Sequence, residues 1–326
     1  MKKYLITGGA GFIGAHLVKN LLDESNHVSV IDNFYRSVPE RIKVFEENPN
    51  FKIFNRDIKN LNDIKPLFGD VDCVFHLAAI NGTENFYKIP VEILDVGIYG
   101  IRNVLESADF HKVKNVIVAS SAEVYQTPIE IPTKEDTRLT IPDIKNPRFS
   151  YGLSKIVTES YSMNYDFKYD TKVKIFRPHN IYGPDMGFKH VIPQFISTLI
   201  KMKKDKMSSF VSKGSLDATR AFCFISDLIE GLRILEETDT TKEIFHIGTN
   251  EEIKIEKLID ALSSILSVSV RSKTTLDSHI GGTSRRCPDI TKMKLLGYSP
   301  KTSILEGLEK TCDWYLSAQK SSNEFL

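Results

Sequence analysis

The chain has 326 residues, of which 41% are hydrophobic and 26% are charged, and this is the composition of a folded globular protein with a sizeable core. Its 43 Lys and Arg residues balance 42 Asp and Glu residues, which argues against nucleic-acid binding because such binding needs a clustered basic excess. The apolar run near the N-terminus ends at glycines after a few residues, too soon for a signal peptide or a membrane span.

Short apolar segments alternate with helical patterns over the first part of the chain. Because these segments are rich in β-branched and aromatic residues, we predict strands at residues 4–7, 28–32, 51–55, 73–79, 116–121 and 172–178. Helices are predicted at residues 12–22, 92–109 and 151–168. Strands that alternate with helices form βαβ units, so the sequence predicts an α/β fold with a doubly wound parallel sheet.

The pattern is less regular in the second half of the chain. We predict helices at residues 190–206 and 255–265, a loop at 208–219, and strands at 221–227 and 243–248. Residues 127–147 contain four prolines and many polar residues. We interpret this segment as a long ordered loop, and loops of such length inside a compact domain are typically functional.

The cysteines and histidines indicate neither a disulfide framework nor a metal site. Cys73, Cys223, Cys287 and Cys312 are far apart and form no CxxC pair, so we expect free thiols in a reducing, cytoplasmic compartment. The eight histidines show no spacing typical of metal ligands. His76 and His246 lie in apolar strands and are expected to be hydrogen-bonded core residues.

A glycine-rich segment between the first strand and the first helix indicates a dinucleotide site. Gly8, Gly11 and Gly14 follow the strand and open the helix, where glycines let backbone N–H groups approach a pyrophosphate at the helix N-terminus. Asp32 ends the second strand and is expected to bind both ribose hydroxyls, which favours NAD over NADP. Arg36 leaves the alternative of a bound 2′-phosphate open.

The segment YGLSK places Tyr151 and Lys155 one helical turn apart on the same face. A nearby ammonium and the positive nicotinamide both stabilise a phenolate. Tyr151 is therefore a candidate base that takes the proton of a substrate hydroxyl while hydride leaves its carbon. Ser121, at the end of the 116–121 strand, is expected to hydrogen-bond the same oxygen.

These motifs resemble the extended short-chain dehydrogenases/reductases, and in particular the NAD-dependent nucleotide-sugar epimerases and dehydratases. The resemblance covers nearly the whole chain and rests on TGGAGFIG (7–14), HLAA (76–79), SSAEVY (120–125), YGLSK (151–155), RPHNIYGP (177–184), TRAFCFISD (219–227) and RRCPDI (285–290). It implies a Rossmann-type NAD-binding domain at residues 1–180, to which 221–248 return, and a smaller α/β nucleotide-sugar lobe at residues 181–326.

The resemblance also implies which residues bind NAD and a nucleoside diphosphate sugar. The catalytic set is Ser121, Tyr151, Lys155 and Glu123. Cofactor contacts are implied at Gly8, Gly11, Phe12, Ile13, Gly14, Asp32, Asn33, Asp57, Ile58, Leu77, Ala78, Ala79, Tyr151 and Lys155. Substrate contacts are expected at Asn81, Thr83, His179, Asn180, Arg220, Arg285 and Arg286. For Asp57, a helix N-cap is an equally good interpretation, and either or both of Arg285 and Arg286 fit the diphosphate.

Two departures from the family pattern bear on the reaction. Many members have an asparagine where this chain has Gly97, and dehydratases of the deoxy-sugar type carry an Asp-Glu pair where this chain has Ala122 and Glu123. Ala122 cannot protonate a hydroxyl that leaves C6. A 4-epimerase needs no group beyond Tyr151, so the sequence narrowly favours epimerisation through a transient 4-keto sugar.

Other functions stay open from the sequence. Glu123 is placed to act at C5 of a 4-keto sugar, which keeps a 4,6-dehydratase and a decarboxylase as alternatives. A non-catalytic NAD-binding sensor or scaffold is a further alternative, although such proteins typically lose the tyrosine or the lysine. The resemblance implies a homodimer formed by the helices at 92–109 and 151–168, with no nucleic-acid or membrane partner.

Overall fold

The computed structural model describes residues 1–212, 214–274 and 283–321. In chain order, the strands are β1 (Lys3–Thr7), β2 (His27–Asp32), β3 (Phe51–Asn55), β4 (Cys73–His76), β5 (Asn115–Ala119), β6 (Lys172–Pro178), β7 (Ile181–Tyr182), β8 (Ser209–Ser212), β9 (Thr219–Arg220), β10 (Cys223–Phe224), β11 (Glu243–Ile247), β12 (Ile253–Lys254), β13 (Arg271–Thr274) and β14 (Arg285–Arg286).

The α-helices are α1 (Phe12–Asp23), α2 (Glu40–Lys43), α3 (Leu61–Ile64), α4 (Thr83–Lys88), α5 (Pro90–Phe110), α6 (Ser150–Asn164), α7 (Val191–Asp205), α8 (Ile225–Glu237), α9 (Ile255–Ile265), α10 (Thr291–Leu295) and α11 (Ile304–Ser321). Short 3₁₀ turns occupy Lys65–Phe68, Ala122–Tyr125 and Pro147–Phe149.

The central sheet confirms the predicted α/β fold. Within the described residues it has seven strands in the order β11-β6-β5-β4-β1-β2-β3, and every neighbouring pair is parallel. The strand order reverses between β1 and β4, and such a reversal opens a crevice at the carboxyl ends of the strands. The glycine turn after β1 and the segment after β4 both lie at this crevice.

Apolar side chains on both faces of the sheet make it a buried layer. Along β1, Tyr4 and Ile6 join the apolar cluster that contains Leu17 of α1 and Leu232 of α8. Leu5, between them, joins the second cluster with α5 and α6. Because successive side chains of a strand point to opposite faces, helices cover both faces, as in a doubly wound fold.

The C-terminal part of the chain forms small sheets beside the crevice. β9 pairs with β12 and with β14, β7 pairs with β10, and β8 pairs with β13. The chain also returns to the central sheet at β11, which pairs with β6. Residues 127–146 contain no strand or helix and are fixed by bonds between Thr133 and the backbone of Cys287 and Asp289.

Several element predictions were wrong in the second half. The predicted loop at 208–219 contains β8, whose partner β13 is distant in sequence, so no local pattern signals it. In the predicted strand at 221–227 only Cys223–Phe224 is extended, and α8 begins at Ile225. A short apolar run does not distinguish strand from helix. In the first part of the chain, β4 and α6 end earlier than the predicted strand at 73–79 and the predicted helix at 151–168, at His76 and Asn164.

Candidate active site

The glycine turn after β1 is packed so closely that side chains do not fit. Gly8 has φ +73°, and a Cβ atom there would lie 2.8 Å from the backbone N and Cα of Ala78. A Cβ at Gly14 would lie 2.4 Å from the carbonyl oxygen of Gly8. The absence of side chains therefore lets strand, turn and helix α1 approach one another, as a pyrophosphate-binding turn requires.

The N-terminus of α1 offers donors to an anion. Gly11 is the N-cap residue, and no side chain of the described part of the chain caps this end. The first N–H groups of a helix have no intrahelical acceptor, and the helix dipole adds positive potential there. The residues present thus fit the pyrophosphate of NAD, with Phe12 and Ile13 supplying the first backbone amides.

Asp32 links the glycine turn to the segment after β2. Its carboxylate accepts the backbone N–H of Ala10 at 3.0 Å and of Phe34 at 2.9 Å, and the hydroxyl of Ser37 at 2.7 Å. The residue is buried. Asp32 therefore stabilises the turn in addition to its predicted role at the ribose, which stays a prediction.

Asp57 and Asn33 lie together beyond the ends of β2 and β3. The amide of Asn33 contacts the Asp57 carboxylate at 3.4 Å, and Asp57 also accepts the N–H of Lys59 at 2.8 Å. Helix α3 begins after Asn60, so the N-cap interpretation of Asp57 was wrong. Their neighbour Ile58 is buried against the helix α5 backbone at Gly100.

Tyr151 lies in the first turn of α6 with its ring buried. The ring stacks on Phe86 with centroids 5.4 Å apart. Burial raises the pKa of Tyr151 to about 12, and the polar side chains of Ser121 and Asn81 act in the opposite direction. Without NAD, Tyr151 is therefore a neutral phenol at neutral pH, and a further positive charge is needed for it to ionise.

Lys155 lies one turn along the same face of α6. Its ammonium donates to the carbonyl oxygen of Ala119 at 2.7 Å and lies 5.9 Å from the centroid of the Tyr151 ring. Burial lowers the pKa of Lys155 to about 8, so the ammonium stays charged at neutral pH. The helix approaches α5 closely at Gly97, where a Cβ would lie 2.7 Å from Ser154.

Glu123 is held between two arginines from different parts of the chain. Its carboxylate contacts Arg286 at 2.8 Å and Arg148 at 3.4 Å. Burial raises the pKa of Glu123, but the two guanidinium groups outweigh burial and the net pKa is lowered. Glu123 is therefore an ionised carboxylate beside Tyr151, and it is not an acid.

The other predicted substrate residues separate into two groups. Arg220 donates to the carbonyl oxygens of Thr219 and Thr283, both at 2.7 Å, and burial together with Arg286 lowers its pKa to about 10. It thus lies beside Arg286 and Glu123. Arg285 instead turns away, pairs with Glu252 at 2.6 Å and is 55% exposed.

Three further residues were predicted to contact the substrate, and they differ in exposure. Asn180, at φ +43°, donates to the carbonyl of Ala221, and Thr83 is exposed at the start of α4. His179 is 1% exposed, packs on His246 with centroids 4.6 Å apart, and neither of its ring nitrogens has a hydrogen-bond partner among the described residues. Direct substrate contact by His179 thus gains no support from its position.

Sequence analysis did not place Phe86, Arg148 or Arg36 near Tyr151, although it named Arg36 as a residue that could bind a 2′-phosphate. Phe86 stacks on its ring, Arg148 lies 5.1 Å from the Phe86 centroid, and Arg36 donates to the Asn81 side chain at 2.6 Å. Arg148 precedes Tyr151 by three residues in the chain, a proximity that could have identified it. Phe86 lies in helix α4 and Arg36 in the segment after β2, and no local pattern indicates that either lies near Tyr151.

The described residues contain no group of three or more His, Cys, Asp or Glu side chains that could hold a metal ion. His76 contacts the hydroxyl of Thr7 at 2.8 Å, and His246 contacts Tyr125 at 2.6 Å, so both are hydrogen-bonded core residues as predicted. The four cysteines are free and buried. Among the helices that the structure describes, none is long and apolar enough to cross a membrane.

Comparisons with known proteins identify the family of the chain. A model of the NAD dependent epimerase/dehydratase family matches residues 4–248. A UDP-N-acetyl-alpha-D-glucosaminuronate decarboxylase of Bacillus cytotoxicus is 32% identical over 324 residues, which cover 96% of this chain and 98% of the relative. UDP-glucuronic acid decarboxylase 6 of Arabidopsis thaliana is 32% identical over 311 residues, covering 94% and 86% of the two chains.

A solved structure shares the whole architecture. The UDP-glucose 4-epimerase of Thermotoga maritima, with UDP-glucose, has a TM-score of 0.85 at 25% identity and covers 97% of this chain and 99% of that one. The two sequence relatives are decarboxylases, whereas this structural neighbour is an epimerase. The narrow preference for 4-epimerisation thus gains no specific support, and the decarboxylase or dehydratase alternative fits better.

Proposed function

The chain belongs to the NAD-dependent epimerase/dehydratase family and is an NAD-dependent nucleotide-sugar enzyme, and on this premise we propose that it decarboxylates a UDP-linked uronic acid. The observation that carries the proposal is the charge around Tyr151. Arg148 and Arg286 flank the single carboxylate of Glu123. The cluster therefore keeps a net positive charge, which suits a substrate with a carboxylate at C6.

The first step uses the pair Ser121 and Tyr151. NAD, when bound, accepts hydride from C4 of the sugar and returns it at the end of the cycle. Tyr151 removes the proton of the C4 hydroxyl, and Ser121, whose oxygen accepts the N–H of Glu123 at 3.2 Å, donates its hydroxyl proton in a hydrogen bond to the same oxygen. The product of this step is a 4-keto sugar.

The second step follows from the chemistry of a uronic acid. With a ketone at C4, the C6 carboxylate belongs to a β-keto acid. The C5–C6 bond breaks, its electron pair forms an enolate on the C4 oxygen, and carbon dioxide leaves. Hydrogen-bond donors at the C4 oxygen stabilise the developing charge. C5 then takes a proton from solvent, and after hydride returns to C4, Tyr151 gives its proton back to the C4 oxygen.

The same residues fit dehydration less well. Loss of water from C6 needs an acid that protonates the leaving hydroxyl, and Ala122 has no such group. Glu123 is ionised because its pKa is lowered. Decarboxylation needs no acid to protonate a leaving group, so the absence of an acid at Ala122 and Glu123 does not prevent it.

The nucleotide end of the substrate is proposed to lie toward the C-terminal part of the chain. Arg220 is half-buried next to Arg286, and Asn180 lies at the junction of β7 and β10. A guanidinium meets phosphate oxygens with paired donors, so we assign the diphosphate to Arg220. We also propose, from the family resemblance, an NAD-binding domain at residues 1–180, to which 221–248 return, and a nucleotide-sugar lobe at residues 181–326.

A homodimer through α5 and α6 is also part of the proposal. Val91, Tyr99 and Phe110 of α5 are exposed large apolar side chains. Tyr161 of α6 and Tyr165, directly after the helix, line a surface depression. An exposed apolar surface on two packed helices is typical of an association site. Sedimentation equilibrium at micromolar protein concentration distinguishes a dimer from a monomer.

A substrate panel tests the proposed reaction. Purified protein with NAD is incubated with UDP-glucuronate, UDP-N-acetylglucosaminuronate, UDP-glucose or UDP-galactose, and the products are identified by NMR. We expect one of the two uronates to yield a UDP-linked pentose that has lost C6, and no such product from Tyr151→Phe. A 4-epimer of a neutral hexose with C6 retained, and no loss of C6 from either uronate, would show that the protein is an epimerase.

A further inference from the structure

A short segment between β7 and α7 joins the C-terminal part of the chain to the N-terminal part. We call residues 184–189 the strap; it contains neither helix nor strand and lies between Tyr182, the last residue of β7, and Val191, the first of α7. The backbone has φ +58° at Asp185 and +81° at Gly187. The strap therefore turns at two positions within six residues.

Two contacts attach the first half of the strap to helices of the N-terminal part. His16 of α1 donates from Nε2 to the carbonyl oxygen of Pro184 at 3.2 Å. Arg41 of α2 donates from Nη2 to Oδ1 of Asp185 at 3.0 Å, and its Nε lies 2.9 Å from Oδ2. The guanidinium thus meets both oxygens of the carboxylate, which is the stronger form of an ion pair.

A third contact attaches the other end of the strap to the segment after β4. Lys189 donates from Nζ to the carboxylate of Glu84 in α4 at 2.9 Å. Helices α1, α2 and α4 follow β1, β2 and β4, which are neighbours in the order β4-β1-β2. Because these strands are parallel, the segments that follow them leave the sheet at the edge where the crevice opens. The strap therefore crosses this edge of the sheet.

The contact with His16 brings the strap to the pyrophosphate end of the crevice. The His16 ring packs edge-on against the ring of Phe12, with centroids 5.4 Å apart. Phe12 is the first residue of α1, and the backbone amides of this helix end fit the pyrophosphate of NAD. The strap is thus bonded to the residue that packs on this helix end.

The strap is fixed on its other side by the C-terminal helix. Tyr315 of α11 donates its hydroxyl to the carbonyl oxygen of Gly187 at 2.8 Å, and its ring packs on Phe188 with centroids 5.2 Å apart. Met186 is buried in the same apolar cluster as Tyr315. The strap is therefore part of the C-terminal packing and reaches the N-terminal part through polar contacts.

The pair of Arg41 and Asp185 is the strongest of these polar contacts. The side chain of Arg41 is 9% exposed, whereas those of Lys189 and Glu84 are 70% and 50% exposed. Exposed ion pairs contribute little because water and salt screen them. A guanidinium that is shielded from water and meets both carboxylate oxygens contributes more.

We infer that the strap closes the cofactor crevice and is held by the ion pair of Arg41 and Asp185, so that NAD enters and leaves only when this pair separates. In the proposed reaction NAD is regenerated in each cycle, so it has no need to leave between turnovers. A closed strap therefore does not slow the reaction. The inference concerns the cofactor and holds whichever nucleotide sugar is converted.

The test is a measurement of NAD exchange in the full-length protein without a sugar. Protein loaded with radiolabelled NAD is mixed with excess unlabelled NAD, and rapid filtration gives the rate constant of release. Filtration after mixing labelled NAD with cofactor-depleted protein gives the rate constant of binding. We expect Asp185→Asn, which suits the φ of +58° and removes the charge, to raise both rate constants by about tenfold.

The effect on both rate constants is what distinguishes closure from a direct contact with NAD. A strap that opens more often admits and releases NAD faster, so the dissociation constant, which is the ratio of the two rate constants, should change far less than either. Arg41→Gln should have the same effect as Asp185→Asn. The double variant should add little to the single ones, because both changes break the same pair.

Two further variants control for charge and folding. Asp217→Asn breaks an exposed ion pair with Lys254 at 3.2 Å and should leave both rate constants unchanged. Arg41→Lys keeps the positive charge but loses the second donor, so its rate constants should lie between those of the unmodified protein and of Arg41→Gln.

The outcomes separate this inference from the proposed function. Unchanged release in both Asp185→Asn and Arg41→Gln would overturn the inference. Faster release with an unchanged rate constant of binding would overturn it as well, since it would indicate a lost contact with NAD. Faster release together with faster binding supports it. A failure of both uronates to lose C6 would overturn the proposed function and leave the closure of the strap unaffected.

Discussion

At the scale of single residues, burial sets the chemistry of the site. The same low-dielectric surroundings raise the pKa of Tyr151 and lower that of Lys155, because burial disfavours whichever form is charged. The phenolate therefore needs positive charge to be brought to it. The nicotinamide of NAD carries such a charge, so cofactor binding and ionisation of Tyr151 are expected to be coupled.

This coupling predicts a pH dependence of NAD binding. Since the positive nicotinamide stabilises the phenolate, binding of oxidised NAD lowers the pKa of Tyr151 below its value of about 12 in the free protein and releases a proton. Affinity for oxidised NAD should then rise with pH above the pKa of the complex, by up to about tenfold per pH unit. Titrations of both redox forms between neutral and alkaline pH check this.

Reduced NAD lacks the positive ring and serves as the matched control. Its affinity should change little over the same range, and the Tyr151→Phe protein should bind oxidised NAD with the same flat profile. Parallel pH profiles for the two redox forms in the unmodified protein would contradict the coupling.

Glu123 allows a second prediction at this scale. Replacing it by glutamine leaves Arg148 and Arg286 without their carboxylate, so both are available to the substrate. A uronate should bind more tightly and KM should fall. Tighter binding of the carboxylate stabilises the bound substrate more than the transition state in which carbon dioxide leaves. The barrier therefore rises, and kcat should fall by about tenfold or more. Steady-state kinetics with the active uronate measure both constants.

The control for Glu123→Gln is a neutral nucleotide sugar used as a competitive inhibitor. Its inhibition constant should change far less than KM for the uronate, since it has no carboxylate to meet the two arginines. A raised KM for the uronate, with kcat unchanged, would show that Glu123 has a different role.

At the scale of elements, local patterns predicted most strands of the central sheet. Strands β3 and β6 coincide with their predictions because both are rich in β-branched and aromatic residues, although β6 is buried along most of its length and β3 is a partly exposed edge strand. Strand β8 was missed because its pairing with β13 depends on distant residues. For the same reason Arg36 and Phe86 could not be placed beside Tyr151, whereas the YGLSK spacing placed Lys155 correctly on its helix face.

A buried ion pair joins the elements under the active site. Arg177 of β6 makes two bonds of 2.7 Å to Glu159 of α6 and one of 2.8 Å to the carbonyl of Glu135 in the long loop. Both side chains of the pair are almost fully buried. This pair therefore fixes α6, with Tyr151 on it, relative to the sheet and to the 127–147 loop.

Removing one partner of this pair should be costly. Glu159→Gln leaves the guanidinium of Arg177 buried without its counter-charge, and such a change lowers the free energy of unfolding by about 3–5 kcal/mol. Denaturant unfolding with NAD absent measures this. Glu237→Gln, at an exposed position at the end of α8, is the matched control and should have little effect. An equally small effect for Glu159→Gln would mean that the pair does not hold α6.

At the scale of the whole molecule, the two parts of the chain complete one site. The N-terminal part supplies Tyr151, Glu123 and the glycine turn, and the C-terminal part supplies Arg286 through the pairing of β14 with β9. The sequence alone could not decide between Arg285 and Arg286. Adjacent residues of a strand point to opposite faces, and the pairing of β14 turns Arg286 to Glu123 and Arg285 to Glu252.

The central claim is that the positive cluster beside Tyr151 serves to bind and release a carboxylate. The most direct measurement uses a UDP-linked uronate labelled at the carboxyl carbon and follows the label with the purified protein and NAD. The account predicts that labelled carbon dioxide appears together with a UDP-linked pentose, and that neither forms with Tyr151→Phe. A labelled carboxyl group that stays on the sugar while the configuration at C4 changes would contradict the account and identify the reaction as epimerisation.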